Sequence, residues 1–404
     1  MANSLSKYFS SVGAKRLSRV EVDPKTSHQH ELNGISEFKA IFGLDTISFS
    51  TKFIYLSDDE DGIFENTGHL KWYDARENHA TRTEYRLYYS DNQVIPSSNE
   101  GDLIIVVRTG DNDATVIVTS RGSTSEEQLL WLFNLSEIEN KFIVKDLTNE
   151  KGDIGFAGNY ILSSLGIEIE ETAPNYIEDL IKTFGMNFPS TQAFSKYARD
   201  TVKDVSIVEA PDETLIAWLE QEELLFRTLE TVIVKERLKT GFGKDGTDVD
   251  EFISFSLSVQ NRRKSRAGHS FENHLAVIFD SFKLNFSKGK LTERNNKPDF
   301  LFPGYNYYHD KSFETKLLTM LGVKTTAKDR WRQVLSEADK IPNKHLITLE
   351  PSISKNQTEE MRAQHLQLVI PKSIIPTYQK EQQEQIINLT DFIKEVSIKQ
   401  SLIS

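Results

Sequence analysis

The chain has 404 residues, too many for one ordinary hydrophobic core, so two domains are expected. Hydrophobic residues at 38% and charged residues at 27% suit a folded globular protein rather than a disordered one. A net charge of −12 excludes a protein that coats nucleic acid without regard to sequence, because neutralising phosphates needs surplus Lys and Arg; specific binding through local clusters stays open.

The absence of cysteine removes disulfides, thiolate zinc sites and cysteine nucleophiles. No apolar run approaches the roughly 18 residues of a membrane span. The opening MANSLSKYFSSVGAKRLSRV lacks the basic-then-apolar pattern of a secretory signal. A cytoplasmic protein is expected. Basic residues gather at Arg262, Arg263, Lys264 and Arg266, and again at Lys324, Lys328, Arg330 and Arg332; acidic ones gather at Asp58-Asp59-Glu60-Asp61. Any one such run reads as solvated surface.

In chain order, the first part to about residue 165 reads as strands: Lys52–Leu56, His69–Tyr73, Tyr85–Tyr89, then a hairpin of Asp102–Arg108 and Ala114–Ser120 around Gly110-Asp111-Asn112-Asp113. A helix over Glu126–Phe133 follows, with Thr124 and Glu127 at capping-box spacing. Short strands with few helices suggest a small barrel or pseudobarrel. His28, His30 and Glu31 lack a further ligand set and read as a loop. Pro174, Gly185 and Pro189 then punctuate a polar break.

Beyond it the texture turns helical, over Leu215–Leu238 and Phe271–Phe282. Between them Gly241-Phe242-Gly243-Lys244-Asp245-Gly246 is a turn, since Asp245 stands where a phosphate loop needs Ser or Thr. A strand over Leu317–Val323, a helix over Ala327–Lys340 and a strand over His345–Leu349 give an α/β domain with a covered sheet. The expected division is 1–170, a linker 171–190, and 191–404.

Three segments carry chemistry. Asp299 follows Pro298 and precedes the apolar Phe300-Leu301-Phe302, so its carboxylate sits at the mouth of a strand. Lys324 ends the apolar strand through Gly322-Val323. Glu337 belongs to the helix expected next, where Arg330 and Glu337 share a face two turns apart and Thr325 or Thr326 caps the start. Phosphodiester hydrolysis uses these types: Asp299 and Glu337 as hard oxygen ligands for Mg²⁺, Lys324 as a compact cation that orients or helps deprotonate water and stabilises phosphate oxygens. Glu272, on the amphipathic Phe271–Phe282, adds a supporting or second-metal carboxylate. Taken singly, each has a plainer reading: a turn-opening Pro-Asp, a strand-end lysine, a solvated helix acid. His309 beside Tyr308 and Asp310 is a triad only in appearance, because neighbours along an extended segment face opposite ways.

The runs Asn261-Arg262-Arg263-Lys264-Ser265-Arg266-Ala267-Gly268, Lys297-Pro298-Asp299-Phe300-Leu301-Phe302-Pro303, Val323-Lys324-Thr325-Thr326, Lys328-Asp329-Arg330-Trp331-Arg332-Gln333 and Glu337-Ala338-Asp339-Lys340-Ile341 resemble the EcoRII-like restriction endonucleases, of the PD-(D/E)XK superfamily. The resemblance is dense over about residues 240 to 350. It implies an α+β, α/β architecture: a C-terminal restriction-endonuclease-like α/β/α domain with a central mixed sheet that cuts DNA with Mg²⁺. The usual acid two positions before the lysine is missing, since Gly322 stands there. In a subgroup of the family that acid moves to the following helix, and here twelve residues separate Lys324 from Glu337. The resemblance also implies an accessory role for Tyr308, whose plainer reading is a packed aromatic. Trp218, near positions that handle an extruded base in the family, reads first as core.

The same subgroup reads C·G pairs with a basic–acidic–basic triplet, here Lys328-Asp329-Arg330: Arg and Lys can pair with guanine, Asp with the cytosine amino group. In the first half, Lys15-Arg16-Leu17-Ser18, His28-Gln29-His30-Glu31-Leu32-Asn33-Gly34 and Thr81-Arg82-Thr83-Glu84-Tyr85-Arg86 resemble the family's N-terminal effector domain, a DNA-binding β pseudobarrel. That implies DNA contacts from Lys15, Arg16, Arg76, Arg82, Glu84 and Arg86, alongside Arg262 in the second half. The implied partners are double-stranded DNA at two or more site copies, a second copy of the chain through the catalytic domain, and a cognate DNA methyltransferase. The expected function is a type II, effector-dependent restriction endonuclease for a short C/G-rich site. A silent DNA-binding regulator and a structure-specific repair nuclease are the alternatives.

Overall fold

The computed structural model describes residues 3–23, 30–59, 62–167, 173–328 and 330–403. The chain forms two compact units, Met1–Ile161 with Pro351–Gln357, and Leu162–Glu350 with Thr358–Ser404. No described helix is long and apolar enough to cross a membrane.

The first unit is built on one eight-stranded sheet: β1 (Ser11–Arg16), β2 (Glu31–Leu32), β3 (Ile47–Leu56), β4 (Phe64–Asp74), β5 (Tyr85–Tyr89), β6 (Leu103–Arg108), β7 (Asp113–Thr119) and β8 (Ile143–Asp146). Their order is β2-β5-β4-β3-β7-β6-β1-β8. Every neighbouring pair is antiparallel except β3 with β7. Alternation along β3 and β4 sends Phe49, Phe53, Leu70 and Trp72 into one core with Phe38, Phe42, Leu87 and Val116. In β1 and β6 the alternation vanishes, since five successive residues of each are buried. The helix expected over Glu126–Phe133 runs Thr124–Phe133, and its cap is Ser123, whose hydroxyl accepts the Glu126 N–H; the Thr124–Glu127 capping box does not form.

The second unit carries a five-stranded sheet of β9 (Ser287–Lys288), β10 (Phe300–Phe302), β11 (Thr319–Lys324), β12 (Lys344–Thr348) and β13 (Leu366–Val369), in the order β13-β12-β11-β10-β9. It is mixed: β9, β10 and β11 are antiparallel, β11, β12 and β13 parallel. On one face Phe300 and Phe302 meet Phe279 at ring-centroid distances of 5.1 and 5.2 Å, and Phe302 meets Phe392 of the helix Leu389–Ser401 at 5.8 Å. On the other, Val334 packs on Gly322. Helices thus cover both faces of the sheet.

Two long helices precede this sheet. Pro211–Thr240 opens on Pro211, whose missing N–H costs nothing in the first turn. Val249–Ser281 is capped by Asp248 and extends the expected Phe271–Phe282 by more than twenty residues upstream, through the basic run. The larger correction concerns the helix expected over Ala327–Lys340. It spans only Trp331–Leu335; Ser336 closes it, the Glu337 N–H reaches back three residues to Val334 O, and Ala338 takes a left-handed φ of 50°. Glu337 therefore lies in the turn after the helix, and Arg330 and Glu337 do not share a helical face.

Candidate active site

The pairing Phe300↔Leu321 sets Asp299 beside the end of β11. There its Oδ2 accepts the Val323 N–H at 2.7 Å and the Lys324 ammonium at 3.4 Å. The backbone bond fixes the carboxylate against the strand, while the longer contact leaves the ammonium able to serve another anion.

Glu337 completes the group. The residue is 9% exposed, and its buried Oε2 has no hydrogen-bond partner among the described residues. Burial pushes the carboxyl up to about 7; nearby Lys324 pulls it down, Asp299 pushes it up, and Lys344 pulls it down. Lys324 and Asp299 both lie within electrostatic reach of Glu337, so the three expected residues share one neighbourhood. Two carboxylates around one ammonium, one of them with a buried oxygen left unbonded, are a hard-donor set that suits a divalent cation such as Mg²⁺. Among the described residues no third His, Asp or Glu joins them.

Gly322 explains why the acid is not on the strand. A Cβ there would lie 2.8 Å from Val334 Cγ2 and 3.0 Å from Cγ1. The helix occupies the space that a side chain two positions before Lys324 would need, and Glu337 enters three residues past Val334 instead.

The turn bearing Glu337 is pinned from two sides. The buried Lys344 ammonium donates to the carbonyls of Glu337 at 2.6 Å, Ala338 at 3.1 Å and Ile341 at 3.0 Å, and burial lowers its pKa. Tyr308 is fully buried; its hydroxyl donates to Glu293 at 2.5 Å and accepts the Lys340 N–H at 3.2 Å, and burial with Glu293 pushes it up. Tyr308 thus supports the turn from the core, which favours the packed-aromatic reading over direct accessory chemistry. Glu272 is turned to Lys288, 3.1 Å away, and does not figure among the charges acting on Glu337.

Of the triplet expected to read bases, Asp329 lies outside the described residues, as do His28 and Gln29. Arg330 is exposed at the N-terminus of the short helix. Lys328 has φ 32°, and its N–H and that of Ala327 both donate to the buried Glu350 carboxylate, at 3.0 and 2.6 Å. Glu350 holds the loop at its base. Sequence reasoning missed it and Lys344; an acid ending the apolar run His345–Leu349 was the available signal for Glu350, while Lys344 reads as an ordinary strand-start lysine. Arg262 is exposed on the second long helix, its guanidinium 4.6 Å from the Phe188 ring. Trp218 is core, its ring 5.5 Å from that of buried His274 and 5.7 Å from Arg199.

The first unit corrects one expectation. Lys15 is fully buried on β1, its ammonium bound to Glu21 and to Asn33 O at 3.0 Å, so it is not presented to DNA. Arg16 is engaged by Glu126 and by Gly101 O at 3.3 Å. Arg76, Glu84 and Arg86 do gather on the surface: Glu84 accepts Arg76 at 2.5 Å and Arg86 at 2.8 Å, and Arg86 also reaches Glu31 at 3.1 Å. Hydrogen bonds from Arg86 and Arg76 hold the Glu84 carboxyl below the usual carboxylate range. Arg82 is exposed nearby in sequence.

A mixed sheet covered by helices thus carries an acid and a lysine at one strand end and a second, buried acid under the influence of both, residue types that phosphodiester hydrolysis uses. Residues 226–393, which hold all three, match the sequence family described as EcoRII C terminal. Over 233 residues the chain is 40% identical to the type II restriction enzyme EcoRII of Escherichia coli, an alignment covering 57% of this chain and 56% of that protein. The chain thus spans little more than half the length of the curated relative it matches. The similarity to that enzyme and to the EcoRII C-terminal family model covers the part of the chain that holds Asp299, Lys324 and Glu337. Looser likenesses link it to metal-depleted Ecl18kI in complex with uncleaved, modified DNA (TM-score 0.44, 20% identity, 58% of this chain and 88% of that one). A further likeness is to the PspGI–substrate DNA complex (TM-score 0.42, 14% identity, 53% and 94%).

Proposed function

We propose that the chain is a type II restriction endonuclease that cuts both strands of DNA at a short C/G-rich site, using Mg²⁺ held by Asp299 and Glu337. The observation that carries this reading is the Asp299–Lys324 pair at the end of β11, with both charges acting on buried Glu337, inside the region similar to EcoRII. In the reaction a water oxygen bonds to phosphorus, one P–O ester bond breaks, and the leaving oxygen takes a proton. A bound divalent cation supplies positive charge against the oxygens of the scissile phosphate. Lys324, steered by Asp299, orients the attacking water and meets charge that builds on the phosphate. The Val323 N–H keeps Asp299 from swinging away. Glu337, fixed through its own carbonyl, brings the second carboxylate without needing side-chain space at Gly322. Lys328, Asp329 and Arg330 lead from the end of β11 into the short helix and are suited to base edges, with Arg262 at the backbone.

The first unit serves, in this reading, as an effector domain that binds a further site copy through Arg76, Arg82, Glu84 and Arg86. A cognate methyltransferase would protect host sites. Purified protein with Mg²⁺ should give discrete fragments from phage DNA, while Lys324→Ala should retain site-specific binding and lose cutting by at least about a hundredfold. Undiminished cutting by Lys324→Ala would sink the assignment, and a random smear would move it to a structure-specific nuclease.

A further inference from the structure

The loop between β9 and β10, residues 289–299, is closed at its neck and again at its tip. At the neck the Gly289 N–H donates to the carbonyl of Asp299 at 3.1 Å. At the tip the Thr292 N–H donates to Asn296 O at 2.8 Å, and the Asn296 N–H to Glu293 O at 3.0 Å. Between them Arg294 and Asn295 take left-handed φ values of 56° and 62°. Two such residues in succession persist where the surroundings hold them.

What the tip holds is the turn that carries Glu337. The Asn296 side-chain amide donates to the carbonyl of Ser336, the residue before Glu337, at 2.6 Å. Glu293 Oε2 accepts the Asp339 N–H at 3.3 Å, two residues past Glu337, and the buried Tyr308 hydroxyl at 2.5 Å. Arg294 and Asp339 add an exposed pair at 3.2 Å, of little weight. The loop therefore ends on Asp299 and, three residues earlier, grips the main chain next to Glu337. Lys344 ties the same turn to β12; this loop ties it to Asp299.

We propose that the loop 289–299 is a clasp that sets the separation of the Asp299 and Glu337 carboxylates, with Asn296 and Glu293 as its positioning residues. The proposal rests on the metal reading of the two acids for its purpose, and on the hydrogen bonds of the loop for its place. Neither positioning residue is a ligand in this reading; each acts through the main chain of the turn. Mg²⁺ demands a tight, near-octahedral set of oxygens, whereas Ca²⁺ tolerates a wider and looser one. A firm clasp thus favours Mg²⁺, and a loosened one narrows that preference.

Hydrogen–deuterium exchange on the metal-free full chain tests the clasp. Titration with Mn²⁺ followed by electron paramagnetic resonance, with Mg²⁺ and Ca²⁺ as competitors, tests its purpose. In Glu293→Ala/Asn296→Ala the segment 336–341 should exchange about tenfold faster, with β12 and the circular dichroism unchanged. Glu293→Gln keeps an oxygen for the Asp339 N–H and the Tyr308 hydroxyl, and should exchange as wild type does. The double variant should bind Mn²⁺ about ten- to hundredfold more weakly, and the advantage of Mg²⁺ over Ca²⁺ in displacing it should shrink. Wild-type exchange in the double variant overturns the proposal. So does an equal weakening toward Mg²⁺ and Ca²⁺, which a general loss of structure would give. A wild type that takes up no Mn²⁺, beside faster exchange in the double variant, removes the metal reading and leaves the clasp standing.

Discussion

The ammonium of Lys344 donates to the backbone carbonyl of Glu337 at 2.6 Å. A residue at the start of β12 thus fixes the main chain of the carboxylate proposed to hold the metal. With Ala338 and Ile341 it gathers three carbonyls that no helix satisfies, because the helix has already stopped at Leu335. Lys344→Met should keep the stem in place and leave the Glu337 and Ile341 carbonyls without the ammonium, while Ala338 O keeps the Ile341 N–H. Chemical denaturation should show a loss of about 2–3 kcal/mol. Cutting should fall further than DNA binding, because the turn that carries Glu337 loosens while the loop proposed to read bases keeps Glu350.

Glu337 itself is held at a cost. Its folded pKa, about 7, lies above the ordinary value of 4.5, so the folded chain binds this proton more tightly than the unfolded chain does. The sign follows: the carboxyl supports stability fully below about pH 4.5 and withdraws that support as pH rises through 7. Glu337→Gln should therefore be inactive yet more stable than wild type in metal-free buffer, with a gap that widens between pH 5 and pH 8 to at most about 3 kcal/mol. Urea midpoints across that range would check it; a gap that is flat or narrows with pH would contradict the burial argument.

Gly322 offers a test of steric exclusion. Gly322→Asp restores the acid that the usual spacing lacks, but its Cβ meets Val334 at 2.8 Å. The expected result is a protein destabilised by about 1–3 kcal/mol and not improved as a nuclease. Adding Val334→Ala should recover part of the thermal stability, a rescue that a simple charge effect of the new aspartate would not give.

Glu350 should matter to recognition more than to hydrolysis. Its carboxylate takes the N–H groups of Ala327 and Lys328, at the start of the segment that leads to Arg330. Glu350→Ala leaves two N–H donors unmet and frees the loop. Fluorescence anisotropy should show weaker binding to the specific site by about tenfold, with non-specific binding in low salt little changed.

Much of this site was legible in the sequence because strands declare themselves through apolar runs and punctuation. Pro298-Asp299 before Phe300-Leu301-Phe302 and Lys324 after Gly322-Val323 sit where the pattern puts them. Glu337 was legible as a residue but not in its setting. The apolar period runs on past Leu335, and nothing local announces that a lysine seven residues later will take the carbonyls a longer helix would have used. Lys15 failed for a related reason: in Ser11–Arg16 the small residues hide that both faces of β1 are covered, so a basic residue beside Arg16 looks like surface. Lys344, Glu350 and the Lys15–Glu21 pair are long-range satisfactions of buried polar groups, which periodicity does not encode.

The contact between Gly322 and Val334 also acts as a rule of grammar for sequences of this build. In this chain a side chain two positions before the lysine and the branched Val334 compete for the same space, so an acid placed there would have to displace Val334. Glycine at the one position and an acid three residues beyond the β-branched residue on the covering helix are thus one steric unit, and either changes only with the other.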